Sequence, residues 1–436
     1  MTSPWADDFP SSWHRLRLKN LIEHVRNGTW GDEPDGPESG VICIRAADFD
    51  RVRNRVSRTK LLRRMLTSAE LMKHRLQPGD LVLEKSGGGE QQPVGASVLF
   101  DLDVQAVATN FAARVRPATG VDPRFLTYLL ASTYHLGINQ RAIKQTTGLQ
   151  NLDADAFFNE MWAVPSHGEQ RAIADFLDRE TARIDALIAK KRVLLRLAEE
   201  RFERAVFDGI QGGVSSTHAE VQPSGLDWLG DIPVHWGLPP VGAYYDVVLG
   251  KMLNPAASSA EDRSPYLRNT NVKWDGFDLS DLGEMHFEAA ERQKYELRVG
   301  DLLVCEGGDV GRAGVWSFGG RKVFFQKAIH RVRPRDNANP RFLMYCLRAA
   351  AKRNVFVVEG NQATIVHLTA EKLRVHRFPY PPPTEQAEIV HLLDKHKDRL
   401  ETLRQKLNRQ LDLLREHRQA LVTAAVTGQI DIPVAA

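Results

Sequence analysis

The chain has 436 residues, of which 42% are apolar and 26% charged, with a formal net charge of +3. That is too long for one ordinary core and too apolar for a disordered chain, so two or more globular domains are expected. No apolar run approaches the ~18 residues of a membrane helix, Met1 to Trp13 carry no secretory pattern, and Cys43, Cys305 and Cys346 stand far apart, so the expectation is a cytoplasmic protein with neither disulfides nor a metal site.

Residues 1–165 read as a first globular domain. FPSSW opens it at 9–13, and residues 45–75 carry ten Arg or Lys against three acids. Standing alone, such a run is equally at home on a solvated surface. LQPGDLVLEKSGG at 76–88 places a short strand at Leu81–Leu83 between Gly-Asp and Gly-rich turns. DPRFLTYLL at 122–130 places a short helix over Arg124–Ala131, with a proline at its first turn.

Residues 166–208 hold no proline and no glycine between Glu169 and Phe207, and their nine basic and nine acidic side chains balance. Apolar residues at alternating steps of four and three give a seam through Ile173, Leu177, Ile184, Leu187 and Leu194. Residues 209–235 are rich in Gly and Ser and contain no Lys or Arg, as a connector would.

Residues 236–384 then repeat the first domain. IPVHW at 232–236 answers FPSSW, LRVGDLLVCEGG at 297–308 answers the Gly-Asp strand, RVRP recurs at 331–334 after 114–117, and NPRFLMYCL at 339–347 answers the short helix. This stretch holds 21 basic and 16 acidic residues. Residues 385–431 form a second long helix, with a seam through Ile389, Leu393, Leu400, Leu403, Leu407, Leu414 and Leu421, and with His396 and His417 as polar register markers. Even the helix entries match: VPSHGEQRAIADFLD at 164–178 recurs as YPPPTEQAEIVHLLD at 380–394.

Five matches in one order at nearly one spacing define an internal duplication. The fold class expected is α+β: two similar recognition-type domains separated by two long antiparallel coiled-coil helices, arranged about a pseudo-two-fold axis. Helices of about 40 residues are roughly 60 Å long. Antiparallel pairing would put the globules at opposite ends of a rod and leave the 209–235 connector a short gap to span.

Catalytic motifs are missing. There is no GxxxxGK[ST] loop, no GxGxxG after a strand, no [DNS]PP[YFW] tetrapeptide, no HExxH and no paired CxxC. Asp80, Glu84 and Lys85 resemble a nuclease triad only faintly, since the E-x-K step is missing and Cys305 replaces Glu84 in the second copy; a strand-end turn explains them better. What remains is equipment for binding. The first copy offers Arg45, Arg51 and Arg53, suited to phosphates, then Lys85, Ser86, Gln91 and Gln92, then Lys144, Gln145, Thr146 and Thr147. The second offers Arg268, Asn269, Asn271 and Lys273, then Glu306 and Arg312, then Asn361, Gln362 and Thr364. Arg and Lys can bond guanine, Asn and Gln adenine, and Glu can accept from cytosine. Any one of these could be ordinary surface; the grouping points to double-stranded DNA.

The IP-x-x-W entry, YLRNTNV at 266–272, the repeated L-x-x-G-D-L, the repeated P-x-x-x-E-Q at 165–170 and 381–386, and AVTGQID at 425–431 together resemble the specificity (HsdS) subunits of Type I restriction–modification enzymes, over essentially the whole chain. The first copy departs in two places: FPSSW lacks the preceding Trp-Leu-Gly that the second copy has at Trp228–Gly230, and Arg45–Phe49 lacks the asparagines of Arg268–Val272. The resemblance implies a non-catalytic subunit that recognises an asymmetric, bipartite DNA site. It implies docking of two methyltransferase subunits and, in the full complex, restriction subunits. S-adenosylmethionine, ATP and magnesium would belong to those partners. The rival readings are a coiled-coil scaffold or adhesin with two ligand-binding domains, and a cryptic nuclease.

Overall fold

A computed structural model of the chain describes residues 9–146, 148–212, 220–252, 262–358 and 367–433. The chain divides into two compact units, Met1–Lys191 with Asn408–Ala436, and Arg192–Leu407. Each unit contains one globule and one half of each long helix.

In the first unit, four antiparallel strands lie in the order Ile22–Asn27, Ala112–Pro117, Leu81–Glu84, Ser97–Leu99. Two further short strands, Arg55–Val56 and Phe49–Asp50, extend this sheet to six. In the second unit the order is Tyr245–Leu249, Ile329–Pro334, Leu302–Cys305, Ala313–Val315. The central registers correspond: Val115 faces Val25 and Leu81 in one sheet, as Val332 faces Val247 and Leu302 in the other, while the first sheet alone shifts register between Arg116 and Pro117. A smaller three-stranded sheet is also duplicated, with one parallel pair in each copy: Ala106–Ala108 on Val41–Ile44, and Phe324–Phe325 on Arg263–Leu267.

The short helices are Pro123–His135 and Pro340–Lys352. Their starts follow from local chemistry. Asp122 accepts from the backbone N–H of Arg124 and Phe125, Asn339 does the same for Arg341 and Phe342, and proline fills the first helical position. Each helix buries a full apolar face (Phe125, Leu126 and Leu129 in one, Phe342, Leu343 and Cys346 in the other) against its own sheet. Burying each such large side chain contributes about 1.5–3 kcal/mol.

The long helices span His167–Ile210 and Pro383–Val426, 44 residues each. A Ser166–Glu169 capping box starts the first: the Ser166 backbone N–H and hydroxyl both donate to the Glu169 carboxylate, at 2.8 and 2.7 Å. The second begins on Pro383 and ends before Gly428, whose φ of +71° suits glycine. Within each unit the two halves pair antiparallel. In the first unit Asp185 meets Arg418 and Lys191 meets Gln410; in the second Glu199 meets Arg404, and Gly209 lies against Leu393 and Ile389.

The seam differs in detail from the expected one. Ile173, Leu177, Ile184, Ile389, Leu393, Leu400 and Leu407 are buried, and Leu403, Leu414 and Leu421 are half-buried. Leu187 and Leu194, however, are 47% and 48% exposed, and the buried stripe runs through Ile188 and on to Phe202. A strict seven-residue repeat drifts about 20° per heptad on a 3.6-residue helix, and here the contact line follows the helix rather than the repeat. The same drift moves the polar position on the second helix from His417, which is exposed, to Arg418, which is buried.

The stretch expected as a bare connector carries structure of its own. Val221–Pro223 pairs with Asp231–Pro233, and Leu229 and Ile232 are fully buried in the second unit's core. No described helix is long and apolar enough to cross a membrane.

Candidate nucleic-acid interface

Each globule is fixed to the long helices by the same joint, built twice. Gln170 and Gln386 are buried. Their side-chain carbonyls accept from the backbone N–H of Asp122 and Asn339, at 3.1 and 3.2 Å, and their amide nitrogens donate to the carbonyls of Pro165 and Pro381. Tyr128 donates to Asp178 at 2.7 Å, Tyr345 to Asp394 at 2.6 Å, and Arg124 and Arg341 reach the same carboxylates. Burial is the first cause that pushes both tyrosine hydroxyls well above the ordinary phenol range, and the carboxylate each faces adds to it. Trp236 donates its indole N–H to Glu385, and Trp13 bonds Glu169 in the same way. Pro10 packs on Gly428 and Pro233 on Gly212, where a Cβ would lie 2.4 Å from the proline ring. The repeated tryptophan, P-x-x-x-E-Q and terminal glycine of the sequence are thus parts of this joint.

On this frame the first globule gathers two of its sequence-predicted groups. Ser86–Gly87 pairs with Leu149–Leu152, which pairs with Ile143–Thr146, so Ser86, Lys144 and Gln145 share one small sheet, and the Lys85 carbonyl beside it accepts from the Leu152 N–H. The Ser86 hydroxyl donates to Asn151 at 2.6 Å, Lys85 donates to Asn27 at 2.7 Å, and Lys144 pairs with Asp153 while remaining 74% exposed. Gln91 and Gln92 are exposed on the adjoining turn. Thr147 lies outside the described residues, and only the backbone of Thr146 is described.

The arginine run is less available than its sequence suggests. Arg51 donates to the buried Glu84 at 2.8 Å, Arg55 to Asp101 at 2.6 Å, and Arg64 pairs with Glu33 while lying over the Trp30 ring. Burial raises the Glu84 carboxyl above its ordinary value even though Arg51 opposes the shift. Arg45 is spent on Asp48, while Arg53, paired with Asp50, keeps 62% of its side chain exposed. Of the three proposed phosphate ligands, Arg51 is therefore corrected to a structural role: its guanidinium braces the strand that ends at Glu84.

In the second globule Arg268, Asn269, Lys273, Glu306 and Arg312 form one neighbourhood. Asn269 donates to the Gly307 carbonyl at 2.7 Å and accepts from Arg312 at 3.0 Å; Lys273 donates to the Thr270 carbonyl, and Arg268 bonds Asp281. Asn271 is a correction. It is 4% exposed, its side-chain oxygen accepts from the Arg268 backbone N–H, and its nitrogen donates to the carbonyls of Asp278 and Asp281. It shapes the loop and has nothing left for a base. In the first copy Asp48 likewise accepts from the Arg45 backbone N–H at 2.8 Å, and its carboxylate also accepts from the Arg45 guanidinium. At the Asn271 position the first copy thus changes the loop chemistry, whereas Ala46 stands where the second copy has Asn269. Asn361, Gln362 and Thr364 lie outside the described residues.

Asp80 is 2% exposed and takes a bidentate bond from Arg116 at 2.8 Å; Asp301 takes the matching bond from Arg333. With Glu84 on Arg51 and Lys85 on Asn27, the faint triad resolves into separate structural pairs. Among the described residues no cluster of three or more His, Cys, Asp or Glu could hold a metal ion.

The class defined so far is a duplicated recognition module carried on paired helices. Residues 271–412 match the family model for the Type I restriction modification DNA specificity domain. The chain is similar to the Type I restriction enzyme StySPI specificity subunit of Salmonella potsdam, at 22% identity over 82% of this chain and 76% of that protein. It is similar to the EcoKI specificity subunit of Escherichia coli K12 at 20% identity over the same shares. In fold it resembles a chain from a structure describing complex assembly and conformational transition of the type I R-M system, with a TM-score of 0.69, 16% identity and coverage of 97% and 99%. It also resembles the HsdS subunit from Thermoanaerobacter tengcongensis, with a TM-score of 0.54, 16% identity and coverage of 97% and 98%. These likenesses support an HsdS-type chain, and residues 271–412 carry the specificity-domain match itself.

Proposed function

We propose that this chain supplies DNA sequence specificity to a Type I restriction–modification complex, each globule reading one half of an asymmetric bipartite site. One observation carries the reading: two globules with the same strand order, register and joint present unlike polar loops at equivalent places, Lys85 against Glu306 above all. A shared frame with unlike readers suits a site whose halves differ.

In this reading the chain has no catalytic centre of its own. Two methyltransferase subunits dock on the charge-balanced faces of the long helices, restriction subunits join them in the full complex, and S-adenosylmethionine, ATP and magnesium are held by those partners. The ion pairing of Asp80 and Glu84 supports the non-catalytic role. The test is to exchange residues 9–165 for the corresponding domain of a relative, co-express the product with the methyltransferase subunit and map methylated sites across a genome. One half of the recognised sequence should change. A change in both halves, or methylation without sequence preference, overturns the reading.

A further inference from the structure

A tight turn lies beside the predicted readers in both globules, and nothing in the sequence motifs singled it out. In the first it is Thr109–Ala112, closed by the Ala112 N–H donating to the Thr109 carbonyl at 2.9 Å. In the second it is Gln326–Ile329, closed by the Ile329 N–H on the Gln326 carbonyl at 3.0 Å. The surrounding backbone bonds are the same twice. The Phe111 and Ala328 carbonyls accept from the N–H of Lys85 and Glu306, and the N–H of Gly28 and Gly250 donate to Ala112 and Ile329. Both glycines are required by close approach, since a Cβ would stand 2.1 Å from the Ala108 carbonyl oxygen in one copy and 2.2 Å from that of Gln326 in the other.

The backbone of this turn is therefore fixed, while its outward side chains are not shared. The first copy shows Asn110 and Phe111; the second shows Lys327 and Ala328. Phe111 is 49% exposed and Asn110 is exposed. The Asn110 side-chain oxygen accepts from Thr109, leaving its NH2 with no partner among the described residues. Lys327 is exposed, and its ammonium has no partner among them either. A single exposed aromatic is ordinary on a protein surface. An exposed aromatic in a rigid turn next to Lys85, answered by an unpaired lysine in the same turn next to Glu306, is harder to assign to folding, because neither side chain stabilises the turn that holds it.

We infer that the Thr109–Ala112 and Gln326–Ile329 turns are specificity-determining elements, one for each half-site, with Phe111 and Lys327 contacting base edges. This rests on the proposed DNA-reading function. The chemistry differs as the side chains do: Phe111 offers apolar contact to a thymine methyl, the Asn110 NH2 can donate to a base acceptor, and Lys327 can donate to guanine O6 and N7.

The test uses the full chain co-expressed with its methyltransferase subunit, with methylated sites mapped by single-molecule sequencing. Phe111→Ala should reduce base discrimination about tenfold at one or two positions of one half-site and leave the other half unchanged. Lys327→Ala should do the same in the opposite half. Asn110→Lys, which leaves every backbone bond of the turn in place, should alter base preference in the same half as Phe111→Ala; it decides the matter should that variant be unstable. Thermal melting identifies instability directly. If the wild-type map is bipartite and Lys327→Ala and the folded first-copy variants leave it unmoved, the inference is wrong while the function stands. A wild-type chain that directs methylation without sequence preference removes the function itself.

Discussion

The two globules agree where they meet the helices and disagree where they face outward. Gln170 and Gln386, Tyr128 and Tyr345, and Asp178 and Asp394 make the same bonds with the same partners. Next to that joint the chemistry already diverges. Arg341 is shared between Asp394 and the buried Asp275, which Lys397 also contacts, whereas Arg124 is shared among Asp178, Asp122 and the exposed Asp175. At the strand-end loops the sign itself reverses, from Lys85 to Glu306. Duplication has kept the geometry that positions a reader and released the side chains that read. A module built this way can change what it recognises without changing where it holds it.

The largest expected effect tests whether the frames are equal. Asp80→Ala and Asp301→Ala each strand an arginine that is only 23% exposed, and each removes an acceptor that is almost wholly buried. Losing one partner of a fully buried pair costs about 3–5 kcal/mol, and the partial exposure of Arg116 and Arg333 reduces this to roughly 2–3 kcal/mol. Denaturant unfolding should give the same loss for both variants; losses differing by more than about 1 kcal/mol would show that the frames are not energetically equivalent.

A smaller effect separates the two halves of the helix pair. In the first unit the seam carries Asp185 against Arg418, whose side chains are 15% and 9% exposed. In the second it buries Phe202 and Leu400. Asp185→Ala should destabilise by about 1–3 kcal/mol, since it leaves a buried guanidinium unpaired, whereas Asp185→Leu with Arg418→Leu should restore most of the loss. A double variant as weak as the single one would mean the pair contributes more than register.

The smallest effect is a slope. His330 in the second globule is wholly buried, and its ring nitrogen bonds the Leu368 carbonyl; the first copy has Ala113 in its place. Burial, the leading cause, lowers its pKa below 6.5, so the folded state holds it neutral. Below pH 6.5 the unfolded chain takes up a proton that the fold resists. Stability is therefore full above that pH and falls as the pH drops through the lower folded value. His330→Ala should flatten this acid limb in melting experiments between pH 7 and 5, and an unchanged slope would assign the acid sensitivity elsewhere.

Much of the fold was legible because the duplication repeats residues with strong local meaning. The Asp122–Pro123 and Asn339–Pro340 helix starts, the Gly-Asp turns before Leu81 and Leu302, and the tryptophans that meet Glu169 and Glu385 all stand out in the sequence. The seam was legible in kind but not in phase, since Leu187 and Ile188 are adjacent candidates and only the packed partner chooses between them. The site was least legible. Arg51 finds Glu84 33 positions away, and Arg55 finds Asp101 46 positions away, so composition could not tell a braced arginine from one left for a ligand. Asn271 looked like a reader because its loop is polar, and only burial shows that the loop consumes it.

The contact of Pro10 with Gly428 has a topological consequence. The segment that opens the first globule rests on the end of the second long helix, just as Pro233, opening the second globule, rests on Gly212 at the end of the first. The same proline-on-glycine contact is therefore made between residues near in sequence in the second unit and between residues far apart in sequence in the first. During synthesis the Pro233 contact can form as soon as the second globule has begun, whereas Pro10 must wait for Gly428 at the end of the second long helix.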